Sequence, residues 1–486
     1  MSRWRVIGLI CAATAGLGGG CVAGPRYSRP SAQVPGAYKE QAPAQNTAQN
    51  LPEKWWLVFN DPQLNDLEDQ IRLSNQNLKA SEAAYRQARA LVRIYRADLY
   101  PTGTFQPTAT RNRYSENKPE VGSSAGVAYN DYVLPGDVSY EIDAWGRIRR
   151  NVEYARETAQ ASAADLATLN LSLEAELATD YFELRSADAQ EKLLDSSVDD
   201  YEKTLQLTEN RHNGGLASDL DVQQADTQLE ATRSQATDVG VARAQFEHAI
   251  AVLTGKPPAE LNLAFSPATE LPPVVPAGLP SEILKRRPDV AAVERRMAAA
   301  NEQIGIAKAA YYPSISLTAS GGFESGALGT LLQGPALFYT LGAGAAETVF
   351  DVGRRRGGVE QAQAGYDQTV ATYRQTILTA FQEVEDNLAG LRILDKESKS
   401  EDLAVHAATR ATELSLNQYK GGITNYLQVL TAQTAQLADQ RAAVDILRRR
   451  LDASVALIKA LGGGWDATTG IPRAEQMATN PAGGSR

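Results

Sequence analysis

Residues 419–427 read Tyr419-Lys420-Gly421-Gly422-Ile423-Thr424-Asn425-Tyr426-Leu427, and residues 212–220 repeat the pattern as His212-Asn213-Gly214-Gly215-Leu216-Ala217-Ser218-Asp219-Leu220. Each copy separates two long segments in which apolar residues recur with helical spacing. Glycine accepts a positive φ, which ends a helix and lets the chain reverse. Gly214, Gly215, Gly421 and Gly422 are therefore predicted to form the tips of two helical hairpins.

The two hairpins belong to a larger duplication. A shift of 207 residues without gaps places Gly146-Arg147 on Gly353-Arg354, and in both copies the first glycine of the tip follows 68 residues later. A second match, with a shift of 212, places Leu99-Tyr100-Pro101 on Tyr311-Tyr312-Pro313. Internal repeats constrain the fold more strongly than any single motif. The chain is one structural unit used twice.

The first 20 residues resemble the signal of a bacterial lipoprotein. Arg3 and Arg5 precede an apolar run and three small residues before Cys21. Removal of residues 1–20 would leave Cys21 as the only cysteine, so no internal disulfide can form, and the resemblance implies a covalent lipid on Cys21. The alternative is an ordinary signal peptide followed by a cysteine without a role.

Composition excludes several classes of function. The net charge is −10, or −12 without Arg3 and Arg5, which argues against nucleic acid as a partner. The three histidines are isolated, and neither a Walker A, a zinc-type His-Glu nor a nucleophile-elbow motif occurs. We therefore predict no catalytic site, no metal site and no enzyme activity. After residue 21 no run of about 18 apolar residues is present, so any membrane crossing must use strands.

Helices and strands alternate within each unit. Period-two alternation predicts strands near 138–143 and 314–320, and partner strands are expected near 102–114 and 338–350. Helical spacing predicts helices near 62–100, 147–211, 216–254, 281–312 and 423–461, and it continues through 366–394 in the second copy of the long helix. A helix over 147–211 would be roughly 98 Å long. Strands of this type suit an outer membrane, but four cannot close without leaving edges, so several chains must contribute. The alternative is a soluble four-stranded sheet beside a helical domain.

The chain divides into six segments. They are a signal peptide (1–20), a lipidated extended segment (21–60), a first repeat (61–255), a proline-rich connector (256–280), a second repeat (281–462) and a polar tail (463–486). The aromatic residues Trp55, Trp56 and Phe59 are expected to pack onto the helical core.

An ordered set of motifs is similar to the TolC-type outer membrane factors, in the lipoprotein (NodT-like) branch that serves tripartite RND-type efflux systems. The set comprises Cys21-x-x-Gly24-Pro25-x-Tyr27-x-x-Pro30, Trp55-Trp56-x-x-Phe59-x-Asp61-Pro62-x-Leu64, Tyr140-Glu141-Ile142-Asp143-x-Trp145-Gly146-Arg147, Arg287-Pro288-Asp289-Val290, Tyr311-Tyr312-Pro313, Ala380-Phe381-Gln382-Glu383-Val384-Glu385-Asp386, the 419–427 turn and Ala460-Leu461-Gly462-Gly463-Gly464-Trp465. These motifs cover nearly the whole mature chain.

The resemblance implies a mainly α protein with a small β part. Three chains would form a helical barrel through the periplasm, joined to a 12-stranded transmembrane β-barrel in the outer membrane of a Gram-negative bacterium. The partners would be a periplasmic adaptor, which contacts the hairpin tips, and an inner-membrane transporter. The function would be export of small molecules, without reaction chemistry.

The resemblance also places a periplasmic gate at the tips. Tyr419 would hold the inner helices, Leu427 would form an apolar constriction, and Thr431 stands where relatives often carry an acidic ring. Thr434 likewise replaces an arginine, so an ionic lock cannot be transferred. We expect closure by Leu427 and by hydrogen bonds from Tyr419 to polar groups of the other hairpin, such as Asp221 or Gln224. The alternative is that Tyr419 and Leu427 are coiled-coil core.

Basic residues cluster where strands become helices. The six positions are Arg147, Arg149, Arg150, Arg354, Arg355 and Arg356. Cations at a helix N-terminus oppose the helix dipole, so we expect them to face anionic lipid headgroups. Solvation or pairing with acidic neighbours is the alternative. The groups 285–287 and 448–450 are interpreted as solvated faces.

Two other classes of protein share parts of this pattern. A periplasmic adaptor would carry one hairpin, flanked by lipoyl-like and β-barrel domains. A structural envelope lipoprotein would lack the paired alternating strands. The sequence contains only three methionines and three histidines, which does not favour a metal ion as cargo.

Overall fold

The computed structural model describes residues 22–40, 51–117, 126–267, 271–275 and 278–467. The signal peptide, Cys21 and the tail from 468 lie outside the described residues. The first repeat contains α1 (Pro62–Ser74), α2 (Gln76–Ala97), β1 (Thr102–Phe105), β2 (Thr108–Arg113), β3 (Ala128–Ile142), α3 (Arg147–Asn213) and α4 (Asp219–Leu253). The second contains α5 (Pro280–Arg286), α6 (Pro288–Ala309), β4 (Ser314–Ser325), β5 (Leu337–Ala346), α7 (Arg354–Lys420) and α8 (Tyr426–Ala460).

The helix lengths confirm the duplication. The long helices α3 and α7 both have 67 residues, and the returning helices α4 and α8 both have 35. The pair α2 and α6, related by the shift of 212, both have 22 residues. At 1.5 Å per residue, α3 and α7 are each about 100 Å long.

The helices that precede the strands are not continuous, which corrects the predicted spans 62–100 and 281–312. Asn75 leaves helical geometry between α1 and α2. Its side-chain Oδ1 accepts from Leu78 N–H, and its side-chain Nδ2 donates to the Leu253 carbonyl at 2.8 Å. Arg287 separates α5 from α6, because the residue before Pro288 is disfavoured in helical conformation.

The five strands within the described ranges form one antiparallel sheet. The strand order is β1-β3-β4-β5, and β2 also pairs with β3 beyond β1. β1 and β2 are two parts of one edge, separated at Gln106-Pro107, because proline lacks the N–H that a ladder needs. Each repeat thus supplies one hairpin, as predicted, and β3 meets β4 with Tyr140 opposite Leu317. The sheet has open edges at β1/β2 and at β5.

The main core lies where the two repeats meet, midway along the long helices. Trp55 and Trp56 are fully buried in it, which confirms their predicted packing, and Trp55 Nε1 donates to Glu174 at 3.2 Å. The start of the polar tail also belongs to this core. Gly463 is buried, and a Cβ there would lie 2.2 Å from Leu171 Cδ1. The expectation of a polar tail from 463 is therefore wrong for its first residues.

The segment 22–40, which we call the N-terminal strap, runs over the surface without helix or strand. Its Ala23 N–H donates to the Trp145 carbonyl at 3.0 Å, where the sheet meets α3. Further along, the backbone N–H groups of Lys39 and Glu40 donate to the Glu385 carboxylate at 2.7 and 3.0 Å. The strap therefore connects the sheet–helix junction with the middle of α7.

The basic residues at the sheet–helix junctions mostly pair with carboxylates. The pairs are Arg147–Glu141, Arg149–Asp143, Arg150–Glu302, Arg355–Asp351 and Arg356–Glu360. Asp143 and Asp351 also accept from backbone N–H groups at the starts of α3 and α7, so these acids offset the helix dipole.

For Arg150 the expected contact with lipid headgroups is wrong, because its side chain is 5% exposed and binds Glu302 and the Pro25 carbonyl inside the protein. Arg287 likewise is buried rather than solvated. It pairs with Asp289 and Glu383, and it donates to the Ala460 carbonyl. No helix in the described ranges has both the length and the apolar character needed to cross a bilayer.

Candidate gate at the hairpin tips

Each hairpin reverses through its Gly-Gly pair, as the sequence predicts. Only the second glycine of each pair takes a positive φ, 75° at Gly215 and 72° at Gly422. Gly214 and Gly421 keep helical geometry. In both tips the residue after the glycines donates its N–H back across the turn, from Ile423 to the Gln418 carbonyl in the second copy. This bond satisfies a carbonyl that the helix end would leave unpaired.

The returning helices begin differently in the two copies. Ser218 caps α4 through a capping box, in which its side chain accepts from Asp221 N–H and Asp221 accepts from Ser218 N–H. Asn425 occupies the equivalent position before α8, and its side chain makes no capping hydrogen bond. A capping side chain contributes about 1 kcal/mol. The second tip therefore has the weaker local structure.

Arg211 joins the two tips. Its guanidinium lies 4.7 Å from the centroid of the Tyr419 ring, and its Nη1 donates to the Lys420 carbonyl at 3.0 Å. One cationic side chain of the first hairpin thus holds both the side chain and the backbone at the end of α7. Sequence reasoning missed Arg211. The duplication places the uncharged Gln418 at the equivalent position, so the repeat does not mark Arg211 as important. Its only sequence signal is that it lies next to the hairpin tip.

Tyr419 is buried between the hairpins. Its ring packs edge-on against Tyr426 with centroids 5.8 Å apart, and both side chains are nearly inaccessible. The Tyr419 hydroxyl meets Thr208 Oγ1 at 3.5 Å. The expected bonds to Asp221 or Gln224 are therefore replaced by a contact with Thr208, since the ring points into the seam between the hairpins. Burial raises the pKa of the Tyr426 hydroxyl far above its ordinary range, so it stays neutral.

Polar contacts continue along the seam behind the tyrosines. Gln433 is buried, its Nε2 donates to Thr204 Oγ1 at 3.2 Å, and its backbone carbonyl accepts from the Tyr201 hydroxyl at 3.2 Å. Its Oε1 has no hydrogen-bond partner among the described residues. An unpaired buried acceptor costs free energy, so this polar contact stabilises the seam less than a fully paired one would.

The other proposed gate residues are exposed on α8. Leu427 is 53% exposed, which excludes a buried core position in one chain. Thr431 Oγ1 donates to the Leu427 carbonyl, and Thr434 Oγ1 donates to the Leu430 carbonyl, both at 2.8 Å. Both threonines thus bond within their own helix. The duplication places Leu220, also exposed, at the position equivalent to Leu427.

Comparisons with known proteins agree with this architecture. The sequence model described as "Outer membrane efflux protein" matches residues 67–256 and 279–463. The chain is 33% identical over 481 residues to the probable efflux pump outer membrane protein TtgC of Pseudomonas putida, covering 98% of this chain and 99% of that one. It is 32% identical over 451 residues to the pyoverdine export outer membrane protein OpmQ of Pseudomonas aeruginosa, covering 92% and 94%.

Solved structures show the same fold. The outer-membrane channel OprN is 31% identical with a TM-score of 0.86, over 92% of this chain and 100% of that one. The Campylobacter jejuni CmeC outer membrane channel is 25% identical with a TM-score of 0.87, over 92% and 96%. The adaptor and envelope-lipoprotein alternatives are therefore wrong. The chain belongs to the outer membrane efflux protein family, and it is an outer membrane channel of a Gram-negative efflux pump.

Proposed function

We propose that three copies of this chain assemble into one duct. The supporting observation is the sheet, whose edges at β1/β2 and β5 have no strand partner among the described residues. An edge strand presents unpaired N–H and C=O groups that can pair with a strand of another chain. Joining the edges of three such sheets would give a closed ring of twelve strand positions. The helices α3 and α7 would extend this ring by about 100 Å into the periplasm.

The duct would carry small organic molecules received from an inner-membrane transporter, of RND type, through a periplasmic adaptor. Relatives are named for toluene, antibiotic and pyoverdine export, which supports organic cargo. The exposed tips Gly214-Gly215 and Gly421-Gly422 would contact the adaptor. No cofactor takes part in this role.

A covalent lipid on Cys21 would anchor the chain in the outer membrane. The strap supports this, because Ala23 is fixed at the junction between sheet and helices. Arg354 is exposed and has no ion pair with any residue that the structure describes. We assign to Arg354, and to the half-exposed Arg147 and Arg149, the contact with anionic headgroups.

The tips would form the gate. Movement of the second hairpin away from the first requires breaking the contacts of Arg211 with Tyr419 and Lys420. Leu427, together with Leu220, would line the closed aperture as an apolar ring, since both are exposed in the single chain. Thr431 carries no charge and would add only polarity to the aperture.

Planar-bilayer conductance and native mass spectrometry of the same sample test this function. We expect trimers that give small, flickering channels, and Leu427→Ser should increase the conductance because it removes an apolar barrier. Leu403→Ser, an exposed leucine of α7 distant from the tips, is the matched control. Monomers without channels would refute the assembly, and equal conductance of both variants would refute the Leu427 ring.

A further inference from the structure

A row of arginines runs along one flank of α2. Arg86, Arg89, Arg93 and Arg96 follow each other at intervals of three, four and three residues. Residues three and four apart lie on the same side of a helix, so the row extends about 15 Å along it. The flank adjoins the side on which Val92 packs against α3.

The row is not neutralised by the residues that the structure describes. None of these arginines forms an ion pair with a residue in the described ranges, and Arg89 lies 5.8 Å from the centroid of the Tyr85 ring. Like charges three and four residues apart on a helix repel each other and destabilise it. An anion bound along the flank would remove this cost. A concentrated row of unpaired cations contrasts with the net charge of −10 of the whole chain.

The duplication shows what lies on the equivalent flank of α6. The shift of 212 places Arg89 on Asn301 and Arg93 on Gly305. Asn301 Nδ2 donates to the Pro25 carbonyl of the strap at 3.3 Å. Gly305 lets the strap approach closely, since a Cβ on Gly24 would lie 2.5 Å from Gly305 Cα.

One position is the same in both flanks. Glu82 is equivalent to Glu294, and Glu294 accepts a hydrogen bond of 2.6 Å from the Tyr27 hydroxyl of the strap. The second repeat therefore uses this flank to bind an extended peptide. In the first repeat the same flank carries four arginines in place of Ala298, Asn301, Gly305 and Lys308.

We propose that the arginine row of α2 is the docking site for an extended acidic segment of a partner protein. The segment would lie along α2 as the strap lies along α6, with its carboxylates on Arg86, Arg89, Arg93 and Arg96. Arginine suits this role because its planar guanidinium binds carboxylates through two parallel hydrogen bonds. The proposal does not depend on conduction, because binding can be measured on a closed channel.

The test uses the full-length protein in detergent and a fluorescein-labelled peptide of alternating Glu and Ser. Fluorescence anisotropy should show binding that weakens as salt is raised. Arg86→Gln with Arg93→Gln should weaken it by about tenfold, since two ion pairs are lost. The control carries Arg374→Gln with Lys396→Gln, which removes the same charge from exposed positions of α7. It should bind the peptide as the unmodified protein does.

Three results would overturn the proposal. The first is absence of binding, or equal affinity of the double variant and its control. The second is equally tight binding of short polyphosphate, which would assign the row to phosphate groups such as lipid headgroups. The third is dissociation of the oligomer, seen by native mass spectrometry, in the variant with Arg86→Gln and Arg93→Gln but not in the control variant. It would assign the row to contacts between copies of this chain.

Discussion

Replacement of Arg211 by alanine tests whether one side chain keeps the hairpin tips together. The change removes a hydrogen bond to the Lys420 carbonyl and the contact with the Tyr419 ring. An exposed cation–π contact contributes about 0.5–1 kcal/mol, and a hydrogen bond of this kind a net of about 0.5–1.5 kcal/mol. The sum is about 1–2.5 kcal/mol per chain. This corresponds to roughly a 5- to 60-fold shift from joined to parted tips.

Open probability in planar bilayers measures that shift directly. If three tips part together, the three losses of free energy add and the effect grows accordingly. Arg211→Lys keeps the charge but loses the planar donor group, so we expect an intermediate open probability. Arg410→Ala is the matched control, because the Arg410 ion pair is with Glu413 of the same helix. Equal open probabilities for Arg211→Ala and Arg410→Ala would refute the role of Arg211.

Three further changes test the structure elsewhere. Gly422→Ala should lower stability by about 1–2 kcal/mol, because alanine is strained at positive φ. Gly421→Ala should raise stability slightly, because Gly421 has helical geometry. Thermal unfolding measures both variants, and similar shifts in melting temperature would contradict the assigned turn. Gly305→Ala should lower the free energy of unfolding by about 1–3 kcal/mol and loosen the strap, because the new Cβ would lie 2.2 Å from Arg150 Cδ. Faster proteolysis within residues 22–40 is the expected result. An unchanged cleavage rate would contradict it. Burial, with the nearby Glu183 carboxylate, raises the pKa of Asp452 to about 7, above its unfolded value of about 4. Its stabilising contribution is therefore complete only below the unfolded pKa and is lost progressively as the pH rises to about 7. Asp452→Asn should therefore raise the melting temperature at pH 8 more than at pH 5, and an equal change at both pH values would contradict the shift.

Sequence patterns predicted the features that depend on local chemistry and repetition. The shift of 207 gave both long helices, because Gly146 and Gly353 mark the same junction and Gly215 and Gly422 the same turn. Period-two alternation indicated β3 and β4, and the partner strands expected beside them correspond to β1, β2 and β5. β3 begins at Ala128, earlier than the alternation near 138 indicated.

The remaining features depend on contacts between distant residues. Arg150 is buried because Glu302 and the Pro25 carbonyl meet it from segments far away in sequence. Arg211 gains its role from the position of the second hairpin, which no local pattern encodes. The break at Asn75 likewise depends on the Leu253 carbonyl, to which its side chain donates.

The equal lengths of the two hairpins limit how this protein can change in evolution or by design. Removal of seven residues from α3 alone would raise one tip by about 10 Å relative to the other. The contacts of Arg211 with Tyr419 and Lys420 would then be lost, and the two tips would end at different levels. A shorter or longer duct therefore requires four matched edits, one in each of α3, α4, α7 and α8, as a periplasm of different width would demand.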